Sequence, residues 1–381
     1  MISACLKVSR AGSFGDISER MKVAVGLSGG VDSAVTALLC KRDGHEVLGV
    51  FMKIWDPRAP VPQESSFRNA CFGPGEENDL LESQRICETL DIPLAVIDCS
   101  REFENEILSY FRSTYLKGQT PNPCIHCNRK LKFGLLPALL KTSGEEHDAF
   151  ATGHYARVER DASDNVFLKK GIDPRKDQSY FLYRLSRQQL KTTLFPLGGL
   201  CKEDVRRLAH EAGIHVWDKE ESQDFYSGDY RMLVLSGNQG ERVSHDGTIV
   251  DREGNILGRH EGIWNYTIGQ RKGLGLIGLY PLYVLEIDAE KNQIVVGRKS
   301  DLFRRGLYAS EFNWLMDKLP DHVSCKTRSS QPEIPCSVSK ASEDTVEVTF
   351  SQPAKGVCPG QSVVLYSDDT VVGGGTIERA F

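Results

Sequence analysis

Residues 22–27, KVAVGL, form a β-branched apolar run that stops at Ser28-Gly29-Gly30, and the following VDSAVTALLCKRDGH repeats apolar residues every three or four positions. This pattern predicts a strand, a tight loop and a helix. HEVLGVFMKI then predicts a second strand, ENDLLESQRICETLDI a helix, IPLAVIDCS a third strand and EFENEILSYFRSTYLKG another helix. DAFATGH, residues 148–154, continues the alternation and puts Gly153 at the mouth of its strand. Strands alternating with helices at this spacing predict an α/β fold with a doubly wound, mostly parallel sheet, whose ligand site lies at the strand C-terminal ends. From about Trp217 the texture changes to short period-two segments separated by Asp, Gly and Asn, such as GTIVDREGNILG and LYVLEIDAEKNQIVVG. These predict antiparallel β-structure: a small linking domain, then a C-terminal antiparallel β-barrel. The expected division is 21–216, 217–299 and 300–381. Residues 1–20 precede the first patterned strand and read as an N-terminal extension, expected to be disordered.

Composition narrows the class. With 381 residues, 40% of them hydrophobic and 26% charged, the chain is ordinary globular material with enough apolar surface for two or three cores. It has no apolar run of about 18 residues and no apolar N-terminal stretch, which excludes a transmembrane helix or a secretory signal and predicts a cytoplasmic protein. A mitochondrial matrix setting would require residues 1–20 to act as a transit peptide, for which Asp16 and Glu19 are poor material. The formal charge of −5 argues against indiscriminate nucleic-acid binding, but the basic run GRKSDLFRRG at 297–306 could hold a folded RNA or simply be solvated. Eleven cysteines without a secretory signal point to thiols, metal ligands or catalysis rather than a disulfide network. Cys40, Cys87 and Cys99 fall in apolar patterns and are expected in the core; Cys201, Cys325, Cys336 and Cys358 carry no assignment.

Two segments carry chemistry. Ser28, Gly29, Gly30, Val31, Asp32 and Ser33 end a strand and open a helix, where backbone N–H groups and the helix dipole converge on an anion. Phosphate or pyrophosphate is the natural occupant. The run is not GxxxxGK[ST], so the loop has no lysine of its own to follow a γ-phosphate. In TPNPCIHCNRKLKFG, residues 120–134, two prolines stiffen a loop that presents Cys124 just outside a helix expected to begin near Ile125, with Cys127 in its first turn. The helix N-terminus and His126, Arg129 and Lys130 are expected to favour thiolate at Cys127. A CxxC alone is equally compatible with half a zinc site or a redox pair.

GLSGGVDS, FMKIWD, TPNPCIHCNRKLKFG, ATGHYARV, KDQSYFL, YTIGQRKGLG and PGQSVVLY, in this order, resemble the tRNA-specific 2-thiouridylases, and SGGVDS resembles their PP-loop. The resemblance covers nearly the whole chain after Met21. It implies ATP-dependent adenylation of the C2 oxygen of the wobble uridine, position 34, in tRNA, followed by attack of a sulfur nucleophile. It implies ATP contacts at Gly26, Leu27, Ser28, Gly29, Gly30, Val31, Asp32, Ser33, Met52 and Gly153, with Asp32 helping to hold Mg²⁺. Asn122, Pro123 and Cys124 match the target-base loop, and Cys127 the nucleophile. His154, Lys176, Asp177, Gln178, Arg328, Ser329 and Gln361 fall where the family touches tRNA. Read alone, His154 is a strand-end core histidine and Lys176–Gln178 a polar turn. Gln270 and Arg271 read better as a glycine-rich structural loop than as RNA contacts. The implied partners are tRNA and a sulfur donor: a cysteine desulfurase, a sulfur relay protein or sulfide. Another PP-loop pyrophosphatase acting on RNA, or a noncatalytic RNA-binding protein with the same fold, are the alternatives.

One departure alters the chemistry. Family members of the best-known type have a second catalytic cysteine in a segment like DSTGICFIG, whereas residues 220–230 read EESQDFYSGDY, with Tyr226 at the cysteine's position. A phenol cannot carry a persulfide. The same family type often has aspartate where this chain has Cys124. Cys71 in RNACFGPGEEND is a third thiol expected on the same sheet edge. Cys71, Cys124 and Cys127 are therefore candidate ligands for three irons of a [4Fe–4S] cluster. A persulfide on Cys127 resolved by Cys124, and structural zinc, are the competing readings.

Overall fold

The computed structural model describes residues 20–58, 70–220, 225–226, 228–236, 246–276 and 280–381; the expected extension at 1–20 lies outside them apart from Arg20. The chain runs through β1 (Lys22–Leu27), α1 (Val31–Arg42), β2 (Glu46–Lys53), α2 (Glu76–Leu90) and β3 (Leu94–Asp98). Two helical runs follow, 100–116 and 123–142, and then β4 (Ala149–Ala151). A hairpin of β5 (Ala156–Arg160) and β6 (Val166–Lys170) precedes β7 (Thr193–Leu194). Strands β1–β4 and β7 form one parallel sheet in the order β3-β2-β1-β4-β7.

Alternation along β1 explains why the sheet is covered on both faces. Val23, Val25 and Leu27 pack in one buried cluster with Val31, Val35 and Leu38 of α1 and Ile86 of α2, while Ala24 and Val50 belong to another with Phe103, Ile107, Phe111 and Leu131. Both faces of a parallel strand are thus spent on helices, which is why KVAVGL reads as a continuous apolar run. α1 is buried on most sides because Val205 and Ala209 of the helix Lys202–Glu211 join the same cluster. The strand order reverses beside β1, where β2 and β4 diverge, which is where sheets of this kind open a crevice at the strand C-terminal ends.

A central sheet contains β8 (Gly247–Val250), β9 (Ile256–His260), β10 (Tyr283–Asp288) and β11 (Gln293–Gly297) in the order β10-β11-β8-β9. It is not wholly antiparallel as expected: two hairpins are joined by a crossover that lays β11 parallel to β8. Short-range alternation is the same in both kinds of pairing, so the pattern could not distinguish them. The barrel that follows comprises β12 (Phe303–Trp314), β13 (Val323–Lys326), β14 (Ile334–Lys340), β15 (Val346–Lys355), β16 (Ser362–Ser367) and β17 (Thr370–Ala380). Its order is β12-β15-β14-β13-β16-β17, closed by antiparallel pairing of β12 with β17 around Leu307, Val348, Val363, Leu365 and Ile377. β6 pairs with β17 at Thr370 and Lys169, so the barrel is hydrogen-bonded to the hairpin of the α/β unit. No described helix is long and apolar enough to cross a membrane.

The turn after β2 depends on one buried acid. Glu76, the first residue of α2, accepts hydrogen bonds from Ile54 N at 2.6 Å and Trp55 N at 3.0 Å through the same Oε1. Burial pushes its carboxyl up to about 7, against those two donors. Between the ordinary value of 4.5 and about 7 the folded protein therefore retains a proton that the unfolded chain releases, and stability falls as pH rises through that window. Chemical denaturation from pH 4.5 to 7.5 should show Glu76→Gln removing on the order of 1–2 kcal/mol of this decline while preserving the fold. An unchanged slope would show that Glu76 does not titrate there.

Candidate functional site

At the end of β1 the chain turns through Ser28, Gly29 and Gly30 into α1. Gly29 takes φ +67°, and a Cβ there would lie 2.6 Å from Asp79 O of α2, so glycine is required for both conformation and space. Gly30 caps α1 without a side-chain bond. Ser33 Oγ donates to Gly30 O at 2.9 Å and accepts from Ser28 N at 3.2 Å, which closes the loop on itself. The first-turn N–H groups of α1 have no acceptor within the helix, an arrangement that suits an anion. Gly26 faces the Phe150 ring inside the sheet, and Met52 lies half-buried at the end of β2, paired with Ile97.

Asp32 is fixed from two directions. Tyr155 Oη donates to its Oδ1 at 2.7 Å, and Lys202 Nζ reaches the same oxygen at 2.7 Å. Lys219 Nζ lies 3.1 Å from Gly29 O and 2.9 Å from Asp79 Oδ1. The lysines that the loop's own motif lacks are thus supplied from 170 or more residues downstream. No sequence motif marks them; the apolar positions of the helix Lys202–Glu211 are the only local signal. Gly153, just beyond β4, closes the crevice from the other side. A Cβ on it would stand 2.9 Å from Asp32 C and 3.0 Å from Ser33 N.

The cysteine helix begins two residues earlier than expected. Pro123 occupies N1, where its missing N–H costs nothing, and Asn122 caps with its Oδ1 accepting from Ile125 N at 3.4 Å. Cys124 is therefore inside the first turn, not outside it. Cys127 leads directly into wide π-helical turns at Asn128–Leu135. The expectation that neighbouring bases favour thiolate at Cys127 is not met. Burial pushes the Cys127 thiol up, and the cation opposing this is Lys132. His126 stacks on Tyr110 with ring centroids 3.7 Å apart, and burial, with Arg184 behind it, lowers its imidazole to about 4, so it is neutral at pH 7. Lys130 is turned to Glu106, 3.4 Å away.

Cys71 is exposed, and the surrounding protein, then the Cys124 and Cys127 thiols, push its own thiol up. Its Sγ lies 3.6 Å from Phe225 O, and Phe72 N donates to the same carbonyl at 3.1 Å. The segment around Cys71 is thus tied to the one that carries Tyr226. Tyr226 itself is fully buried among Phe72, Phe225 and Tyr230. The three thiols share one electrostatic neighbourhood, yet among the described residues no three His, Cys, Asp or Glu side chains are grouped closely enough to hold a metal ion. Cys40, Cys87 and Cys99 are buried.

The remaining candidates divide by what they touch. His154 hydrogen-bonds Thr152 Oγ1 through Nδ1 at 2.7 Å and faces Phe133 of the cysteine helix. Burial, then Lys132, holds its imidazole well below the ordinary range. Asp177 accepts from Gly171 N and Ser179 N, both at 3.1 Å, and Gln178 Oε1 accepts from Tyr155 N at 2.9 Å; half-buried Lys176 precedes them in the turn. Gln361, in the barrel, donates to Thr120 O at 3.1 Å and Pro121 O at 2.9 Å, while Thr120 N donates to Pro359 O at 2.9 Å. The barrel thereby grips the loop that carries the cysteines. Arg328 Nη2 donates to Cys358 Sγ at 2.6 Å and to Ile268 O at 3.3 Å, joining the barrel to the central unit, and Ser329 beside it is exposed. Gln270 closes its own loop, accepting from Thr267 N at 3.0 Å.

Comparison with known proteins draws these parts together. Residues 21–226 match the tRNA methyl transferase HUP domain, 239–298 the tRNA methyl transferase PRC-barrel domain and 304–377 the aminomethyltransferase beta-barrel domain. The tRNA-specific 2-thiouridylase MnmA of Endomicrobium trichonymphae is 46% identical over 363 residues, 94% of this chain and 99% of that protein. The protein of the same name from Geotalea uraniireducens is 43% identical over 367 residues, 95% of this chain and 96% of that one. That from Carboxydothermus hydrogenoformans is 42% identical over 372 residues, covering 96% and 99%.

Because Gly153 abuts the backbone of Asp32, Gly153→Ala should displace the loop. Calorimetry should find ATP affinity reduced about 10-fold or more, at a cost of roughly 1–3 kcal/mol in stability. Wild-type affinity would show that the two segments separate freely.

Proposed function

The chain belongs to the tRNA-specific 2-thiouridylase family, and on that premise we propose that it replaces the C2 oxygen of uridine 34 in tRNA with sulfur, releasing AMP and pyrophosphate. The observation that carries this reading is the run of contacts that links the phosphate loop to the cysteine helix. Gly153 abuts Asp32 of the phosphate loop, His154 faces Phe133 of the cysteine helix, and the charge of Lys132 acts on Cys127, Cys71 and His154 alike. One substrate base can thus meet both a nucleotide and a thiol.

ATP occupies the loop Gly26–Ser33, with Met52 and Gly153 bounding it. The donor set suits Mg²⁺, which is commonly held by one or two carboxylates together with substrate phosphates, and Asp32 supplies one such carboxylate at the loop. When bound, Mg²⁺ neutralises phosphate charge. The uridine C2 oxygen attacks the α-phosphorus, the α–β bridging bond breaks, and its electron pair leaves with pyrophosphate. The C2 oxygen is then part of a good leaving group, AMP.

Sulfur arrives as a sulfane atom from a persulfide donor and is held on Cys127. Its terminal sulfur attacks C2 and AMP departs. A neighbouring thiol, Cys124 one helical turn away, then attacks Cys127 Sγ, which releases 2-thiouridine and leaves a Cys124–Cys127 disulfide for an external dithiol to reduce. The raised thiol of Cys127 fits a residue that becomes reactive when loaded: a persulfide is a stronger acid than the thiol that carries it. Asn122 and Pro123 shape the loop for the target base. Gln361 and Arg328 act through the contacts they make inside the protein, while Lys176 and Ser329 are the more accessible candidates for tRNA.

A [4Fe–4S] cluster on Cys71, Cys124 and Cys127 is the rival reading. The three thiols do not stand close enough together to hold it as they are arranged, so no step is routed through it. Protein purified without oxygen is therefore expected to contain no stoichiometric iron or sulfide. Four irons per chain that vanish in Cys71→Ala would establish the cluster instead.

The activity is tested by incubating unmodified tRNA with ATP, Mg²⁺ and a persulfide source, then digesting the tRNA and detecting 2-thiouridine by mass spectrometry. Asp32→Ala and Cys127→Ser should each lower product at least about 100-fold. Normal tRNA and ATP binding by the wild type without any thionucleoside would favour a noncatalytic RNA-binding role.

A further inference from the structure

Residues 28–33 bring amides and hydroxyls to the crevice but only one charge, and it is negative. A polyphosphate needs cations at the same place. Two lysines reach the loop, and they differ in kind. Lys219 and its partner Asp79 are each about a third exposed, an ordinary brace across Gly29. Among the described residues Lys202 is the one buried lysine, its side chain 8% exposed.

Burying an ammonium carries a desolvation cost that pairing with a carboxylate seldom repays, and Asp32, 28% exposed, could be solvated by water instead. The surroundings nevertheless hold Lys202 in place. Its backbone N donates to the buried Asp173 Oδ2 at 3.2 Å, Val205 and Ala209 anchor its helix to the cluster under α1, and Nζ meets the same Asp32 oxygen that Tyr155 Oη holds. A cation fixed this firmly beside a phosphate loop, against a residue that a metal would recruit, fits a second partner.

We propose that Lys202 is the pyrophosphate-positioning residue of this site: it holds Asp32 before nucleotide binds, and pairs with the β- and γ-phosphates when the Asp32 carboxylate turns to Mg²⁺. The proposal rests on the reading of the crevice as an ATP site, and on no part of the sulfur chemistry. As the α–β bond breaks, Lys202 stays paired with the departing pyrophosphate and offsets the charge that leaves with it.

Calorimetry on the full-length protein decides it, with magnesium pyrophosphate, magnesium ATP and AMP as separate probes of wild type, Lys202→Gln and Lys202→Arg. Lys202→Gln should weaken pyrophosphate and ATP by about 10-fold or more while AMP changes less than about 2-fold, and Lys202→Arg should recover most of the loss. Equal weakening of AMP and pyrophosphate would assign Lys202 a purely structural role, and unchanged pyrophosphate affinity would overturn the proposal outright. If Lys202→Gln does not fold, the wild-type protein decides: the NMR signal of the Lys202 side chain should shift on adding magnesium pyrophosphate and stay within error on adding AMP, and no response to pyrophosphate refutes the assignment. Neither tRNA nor sulfur enters the assay, so a protein that makes no 2-thiouridine can still pass it. A protein that makes 2-thiouridine can equally fail.

Discussion

The close approach of β4 to the first turn of α1 is the constraint on which the rest of the site depends. Gly153 has no Cβ, so the chain leaving β4 packs directly on the backbone of Asp32. That approach brings Tyr155, two residues later, within 2.7 Å of the Asp32 carboxylate. It also sends His154 toward the cysteine helix. A larger residue would push β4 away from the first turn of α1, and with it the contacts that Tyr155 and His154 make.

The outer elements act by holding this arrangement. Glu76 ties the turn after β2 to α2, and Gly29 lets α2 approach the phosphate loop. The barrel contributes from a distance in sequence: Gln361 and Pro359 grip Thr120 and Pro121, so the cysteine loop is positioned by residues some 240 places away. The β6–β17 pairing makes this grip part of a continuous hydrogen-bonded sheet. Interior packing transmits displacement readily, so the barrel's placement bears directly on Cys124 and Cys127.

The thiols illustrate how burial overrides local sequence. His126, Arg129 and Lys130 beside Cys127 suggest an activated thiolate, yet His126 is neutral and stacked on Tyr110, and Lys130 faces Glu106. Lys132, one helical turn and a π-widened step further on, is the cation that Cys127 meets. At the other edge Tyr226 fills the core with its ring, while Cys71 in the neighbouring segment is exposed.

The sequence by itself determined the parallel sheet, the phosphate loop after β1 and the barrel, because each follows from local periodicity or from a short run whose backbone demands are self-contained. It also determined family membership, through motifs in fixed order. Only the tertiary structure decided that Lys202 meets Asp32 and Gln361 the cysteine loop, that β11 lies parallel to β8, and that burial raises the Cys127 thiol. The physical reason is common to all of them: charge pairing, desolvation and strand partnering depend on which distant segments meet, and local pattern carries no record of that.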